Sequence, residues 1–146
     1  MAYNISLPLP EGWTCITDSY QEFDGAEVTH LDARLADAKT QHDLAFIDIY
    51  VGQMPPDTSA EDEALANYAD MVGWTDDDDD EDPIVQWTFN GRKAYGFDAY
   101  CEDEMPMRVL CVELKKGVLA IMSLGARTDQ ALLDLVSLVE KKFRIS

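Results

Sequence analysis

Apolar residues recur along this chain with a period of two in some stretches and at three- and four-residue intervals in others, and the switches divide it into elements. From Val85 to Phe89, apolar Val85, Trp87 and Phe89 alternate with Gln86 and Thr88, which predicts a strand with one buried face. Asn90-Gly91 tolerates positive φ at two successive positions and predicts a hairpin. Its return strand runs from Arg92 to about Tyr100, with Tyr95 and Phe97 on one face. Glu102, Asp103, Glu104 and Pro106 interrupt the pattern. Met107 to Leu114 and Val118 to Leu124 are apolar on both faces and flank a Lys115-Lys116-Gly117 turn, so they read as central strands, paired antiparallel and covered on each side. The natural cover is a helix capped by Thr128. Asp129 sits at its positive end, Leu132, Leu135, Val136, Val139 and Phe143 form one stripe, and Lys141, Lys142 and Arg144 sit at its negative end.

In the first half, Trp13 to Asp18 reads as a short strand entered through Pro8 and Pro10. Leu44 to Val51 reads as another, with Ala45, Ile47, Ile49 and Val51 facing the core. Between them, Val28 to Lys39 fits two patterns. Thr29 with Asp32 resembles a capping box and Leu31, Leu35 and Ala38 fit a helix, while Glu27 to Ala33 also suits an extended strand. A clearer helix begins at Thr58, with Thr58 and Glu61 as a capping box, an apolar face of Ala64, Leu65, Tyr68, Met71 and Val72, and a stop at Gly73.

At 146 residues and 47% hydrophobic, the chain is expected to form one α+β domain over 1–146, an antiparallel sheet flanked by helices. The net charge of −18 disfavours nucleic acid and anionic membrane surfaces as partners. The first twelve residues hold no Lys or Arg, and no run of eighteen apolar residues occurs, so a cytoplasmic location without membrane insertion is expected. Cys15, Cys101 and Cys111 match no ligand spacing and read as buried, reduced thiols. The charge is lopsided: residues 1–83 hold 2 basic and 21 acidic side chains, net −19, whereas residues 84–146 hold 9 and 8, net +1. If both parts share one sheet, the first helix, its flanking loops and the early strands should make a negative face.

The densest acid is Asp76, Asp77, Asp78, Asp79, Asp80, Glu81 and Asp82. Counted from Asp76, a calcium loop of the helix-loop-helix type needs Gly sixth and Glu twelfth, where this chain has Glu81 and Trp87. A solvated loop is the first reading of this run, a contact for a basic partner the second, and weak divalent binding the third. Trp74, between the helix stop and the acid, either packs that loop down or serves binding. His30 and His42 each have an acid nearby, Asp32 and Asp43, but no nucleophile is placed beside either, and both read as surface or edge-strand histidines. The other aromatics, Trp87, Tyr95, Phe97 and Tyr100, read mostly as one core face of the hairpin. No catalytic constellation emerges, and no metal or other cofactor is implied.

The order of elements resembles the PsbP-like superfamily. The likeness is carried by Ile5-Ser6-Leu7-Pro8-Leu9-Pro10-Glu11-Gly12-Trp13, the helix after Thr58, the Phe89-Asn90-Gly91-Arg92-Lys93-Ala94-Tyr95 hairpin and the closing Val139 to Ile145. It spans nearly the whole chain, and its more specific parts are the LP-x-G-W opening and the F-N-G-R-K-A-Y hairpin. The resemblance implies an antiparallel sheet flanked by helices in a family of mostly binding proteins, among them chaperones for secretion effectors, and it transfers no active-site motif. The acidic tract departs from it. The function expected is therefore a non-enzymatic binding or adaptor protein with an acidic face for a basic or partly apolar protein segment, with Trp74 and Asp76 to Asp82 as candidate contacts. The alternatives are a small-molecule or divalent-metal-binding module and a secretion-effector chaperone.

Overall fold

The two stretches that are apolar on both sides lie in the interior of the sheet, where each side has cover. In this computed structural model, which describes residues 3–22, 25–37, 39–40, 42–71, 84–100 and 104–145, the elements run β1 (Ile5–Ser6), β2 (Trp13–Gln21), β3 (Glu27–Ala36), β4 (Asp43–Gln53), α1 (Ala60–Met71), β5 (Val85–Phe89), β6 (Arg92–Tyr100), β7 (Pro106–Lys115), β8 (Val118–Ala126), α2 (Asp129–Lys142) and β9 (Arg144–Ile145). Seven strands form one antiparallel sheet in the order β2-β3-β4-β8-β7-β6-β5. The acidic half thus contributes β2, β3 and β4, the near-neutral half contributes the rest, and the β4–β8 ladder joins them. The architecture is α+β.

One side of the sheet is the main core. Cross-strand rows such as Ala33–Ile47–Leu124 and Leu31–Ile49–Met122 place side chains in register, and α2 covers them with Leu132, Leu135, Val139 and Phe143, all buried. Each Leu, Ile, Val, Met or Phe side chain so taken out of water stabilises the fold by about 1.5–3 kcal/mol. The helix starts where its sequence says it should: the Ala131 amide donates to Thr128 Oγ1 at 3.0 Å. Beyond the reach of α2, the same side is covered by the N-terminal segment. Tyr3, Ile5, Leu7 and Leu9 pack on the core, β1 pairs with β9, and the Tyr3 amide donates to buried Thr29 Oγ1 at 3.0 Å. The β5–β6 turn has Asn90 at φ 52° and Gly91 at φ 80°, a type I′ geometry. Its tip is tied to α2 by the Asn90 amide donating to Glu140 Oε2 at 2.9 Å.

The other side carries α1, which packs on β6 and β7. Ala60 and Ala64 allow close approach to Cys111 and Leu119, and Tyr68 meets Phe97 edge-on with ring centroids 5.2 Å apart.

Of the two patterns that Val28 to Lys39 fits, the extended one forms: residues 27–36 are a strand whose alternation buries Leu31 and Ala33 against β4, and tertiary pairing overrides the cap-like spacing of Thr29 and Asp32. The helix cap is one residue later than expected. Ser59 and Asp62 form the reciprocal box, Asp62 N to Ser59 Oγ at 3.2 Å and Ser59 N to Asp62 Oδ2 at 3.1 Å, while Thr58 donates to the Pro55 carbonyl. Leu65 and Met71 are exposed, so the buried face of α1 is Ala60, Ala64 and partly Tyr68; Val72 and Gly73 lie outside the described residues. Val85 is exposed. The hairpin aromatics divide between the two sides, because Trp87 pairs with Ala94 whereas Tyr95 and Phe97 point the other way, toward α1; Tyr100 is exposed. Cys15 is exposed on the edge strand, Cys111 is buried, and Cys101 lies outside the described residues.

Candidate functional site

Because α1 packs mainly on β6 and β7, no described helix covers the same side of β2, β3 and β4, which is called the open face below. Ladder register lays two rows of side chains across it. Ile16 stands opposite Asp32, which stands opposite Asp48 and then Ser123; next to it run Asp18, His30, Tyr50 and Ile121. Large apolar groups stand in water on this face: Ile16 is 57% exposed, Tyr20 45%, Leu44 38% and Tyr50 38%. A sheet face with one solvated side ordinarily shows polar residues there; here aliphatic and aromatic side chains are set among carboxylates.

Asp18, Asp32 and Asp48 occupy neighbouring register positions on one face of three strands, and among the described residues of those strands two basic side chains, His30 and Arg34, share that face. His30 bonds Asp48 through Nε2 and stacks on Tyr50 with ring centroids 4.1 Å apart. Arg34 donates to Asp32 Oδ1 at 2.9 Å, approaches Asp43 Oδ2 at 3.6 Å, and places its guanidinium over the Phe46 ring at 5.3 Å. Desolvation raises the pKa of the Tyr50 phenol, and nearby Asp48, Tyr20 and Asp32 add to the rise, so Tyr50 stays a neutral ring. The acidic helix α1, with Glu61, Asp62 and Glu63 in its first turn, lies on this same side.

Where the open face meets α1 there is a cleft of about 300 Å³. Val28, Gly52, Leu119 and Ile121 line it with apolar surface, Tyr20 and Tyr50 supply aromatic walls, and Glu22 and Glu63 supply carboxylates. It is open to solvent and contains no histidine among its lining residues.

Trp74 and Asp76 to Asp82, the expected contacts, lie outside the described residues. His30 is not on an edge strand. It sits on β3, inside the sheet, and its partner is Asp48, the diagonal neighbour on β4, while Asp32 is engaged by Arg34. His42 lies in the β3–β4 turn, where its carbonyl accepts from the Asp37 amide at 2.8 Å. Among the described residues, no three of His, Cys, Asp and Glu converge on a point that could hold a metal ion. No helix among them is long and apolar enough to cross a membrane.

Of the open-face residues the sequence singles out His30 and Asp32, although it holds a signal for others: with Ile47 and Ile49 in the core, parity alone puts Asp48 and Tyr50 on the opposite face. What parity could not supply is that no described helix covers this stretch of the opposite face. Compared with protein-family models, curated proteins and solved structures, the chain matches none of them.

Proposed function

We propose that this is a non-enzymatic binding or adaptor domain of PsbP-like fold whose open, acidic sheet face receives a basic, partly apolar protein segment. The observation that carries the reading is the mixture on one surface: exposed Ile16, Tyr20, Leu44 and Tyr50 interleaved with Asp18, Asp32 and Asp48. Carboxylates that exceed their local cations draw a basic partner in and fix its register, while aromatic and aliphatic anchors supply most of the affinity once water is expelled. The net charge of −18, carried almost wholly by the half that builds this face, adds long-range steering. The finer fold assignment is supported by a sheet with a helix on each side together with the LP-x-G-W opening and the F-N-G-R-K-A-Y hairpin. A role as an effector chaperone is the special case in which the segment is a client helix.

Selection from a displayed peptide library at low ionic strength tests the reading. Enriched peptides should intersperse Lys or Arg with aliphatic or aromatic residues, bind more weakly as salt rises, and lose affinity to the Asp48→Asn and Tyr50→Ala variants. Enrichment of neutral or acidic peptides, or affinity indifferent to salt, contradicts it.

A further inference from the structure

The cleft beside α1 has walls of one chemical kind. Glu22 and Glu63 bring two carboxylates to it, and Tyr20 and Tyr50 bring two electron-rich rings. None of its lining residues is Lys, Arg or His, and among the described residues no cation pairs with either glutamate. Elsewhere on the same face Arg34 answers Asp32 and Asp43, so the lack of a counter-charge belongs to the cleft.

We propose that this cleft binds an organic cation on an apolar stem, an alkylammonium or guanidinium group. Ring faces attract such cations through their quadrupoles, more strongly when water is partly excluded. The glutamates neutralise the charge, and the apolar floor of Val28, Leu119 and Ile121 accepts the methylenes, as it does when a long basic side chain buries its stem. At about 300 Å³ the cleft stands at the lower end for small-molecule sites, which suits one side chain or a small amine. Anions are opposed by the whole electrostatic field of the chain. The floor has one position open to manipulation. A Cβ on Gly52 would meet Val28 Cγ2 at 3.4 Å and the Glu27 carbonyl at 3.7 Å, ordinary contacts, so a longer side chain there fits the backbone and fills the cleft.

This inference deepens the binding reading by naming the anchor of the partner segment, yet it can hold without it. The experiment is an amide-resolved NMR titration of the whole chain with N-acetyl-arginine methylamide, butylammonium and spermidine, against N-acetyl-citrulline methylamide as the neutral isostere. The cations should shift Tyr20, Val28, Gly52 and Leu119, and the citrulline compound should not. Glu22→Gln with Glu63→Gln, which keeps the shape, should weaken binding about tenfold, as expected for losing a charge-assisted contact. Gly52→Leu should abolish it, with the remaining spectrum unchanged. Equal shifts from citrulline, shifts spread over all acidic surfaces, or binding that survives both variants would overturn the proposal. Tighter binding of an Arg-bearing peptide than of the free amines assigns the cation to a protein partner; tighter binding of spermidine assigns it to a free amine. Either result upholds the site. Free amines binding where no peptide does would uphold the cleft and refute the partner reading. A selected peptide indifferent to both variants would do the reverse.

Discussion

His30 and Tyr50 lie face to face across the β3–β4 ladder, their ring centroids 4.1 Å apart and their planes within 9° of parallel, while the same imidazole bonds Asp48. The stack holds Tyr50 upright on the open face and orders one of its carboxylates. His30→Ala should therefore cost about 1 kcal/mol in chemical denaturation, of the order measured for aromatic pairs. It should weaken peptide binding further, because Tyr50 and Asp48 lose their common support. Tyr50→Phe keeps the stack and should leave stability nearly unchanged.

Two glycines in the sheet are there because a neighbour occupies the place of a Cβ. At Gly96 the obstruction is the Val109 backbone carbonyl, and at Gly125 it is the ring of Phe46. Backbone in a central ladder yields less than a partly exposed ring, so Gly96→Ala should lower stability by roughly 3 kcal/mol or more and Gly125→Ala by about 1–2 kcal/mol. Denaturant midpoints at constant slope would rank them; equal losses would contradict the stated geometry.

The start of α1 distinguishes two neighbouring hydroxyls. Ser59 exchanges hydrogen bonds with Asp62, whereas Thr58 bonds the Pro55 carbonyl. Ser59→Ala should cost about 1 kcal/mol, the usual value of an N-cap, and the loss should appear as faster amide exchange in the first turn of the helix. Thr58→Ala should leave that exchange unchanged.

Burial pushes the Cys111 thiol up from 9.0 to about 12, with the Glu63 carboxylate adding to the rise. A folded-state pKa above the unfolded value means that stability is full below the unfolded pKa and falls as pH climbs toward the folded one. Between about pH 9 and about pH 10.5 this group alone removes roughly 2 kcal/mol, at 1.36 kcal/mol per unit. Cys111→Ala should flatten the alkaline fall in stability. Thiol labelling followed by peptide mapping should modify exposed Cys15 in the native protein and Cys111 only after unfolding.

Much of the scaffold was legible in the sequence because it is encoded locally. Thr128 with the Leu132–Leu135–Val139 stripe, Asn90-Gly91, and the doubly apolar β7 and β8 each carry their signal within a few residues, and each is where it was expected. Residues 27–36 are ambiguous because Thr29 and Asp32 have the spacing of a cap, and the cap of α1 is misplaced by one residue because Thr58 and Ser59 stand side by side with an acid three residues beyond each. The sidedness of Trp87 against Tyr95 depended on hairpin register, since a two-residue turn sets which positions pair. The site was the least legible part. Asp18, Asp32 and Asp48 share a face through two ladders, and among the described residues their exposure goes with α1 packing over β6 and β7 rather than over β2 to β4. Those are long-range facts that no local window contains.

If the open face of β2, β3 and β4 receives the partner segment, an NMR titration with a selected Lys- or Arg-rich peptide at two salt concentrations will show it. The largest shifts should fall on Ile16, Asp18, His30, Asp48 and Tyr50, affinity should drop as salt rises, and Asp48→Asn should reduce the salt dependence. Shifts confined to the α2 side of the sheet, or binding to this face that ignores both salt and Asp48, would contradict the account.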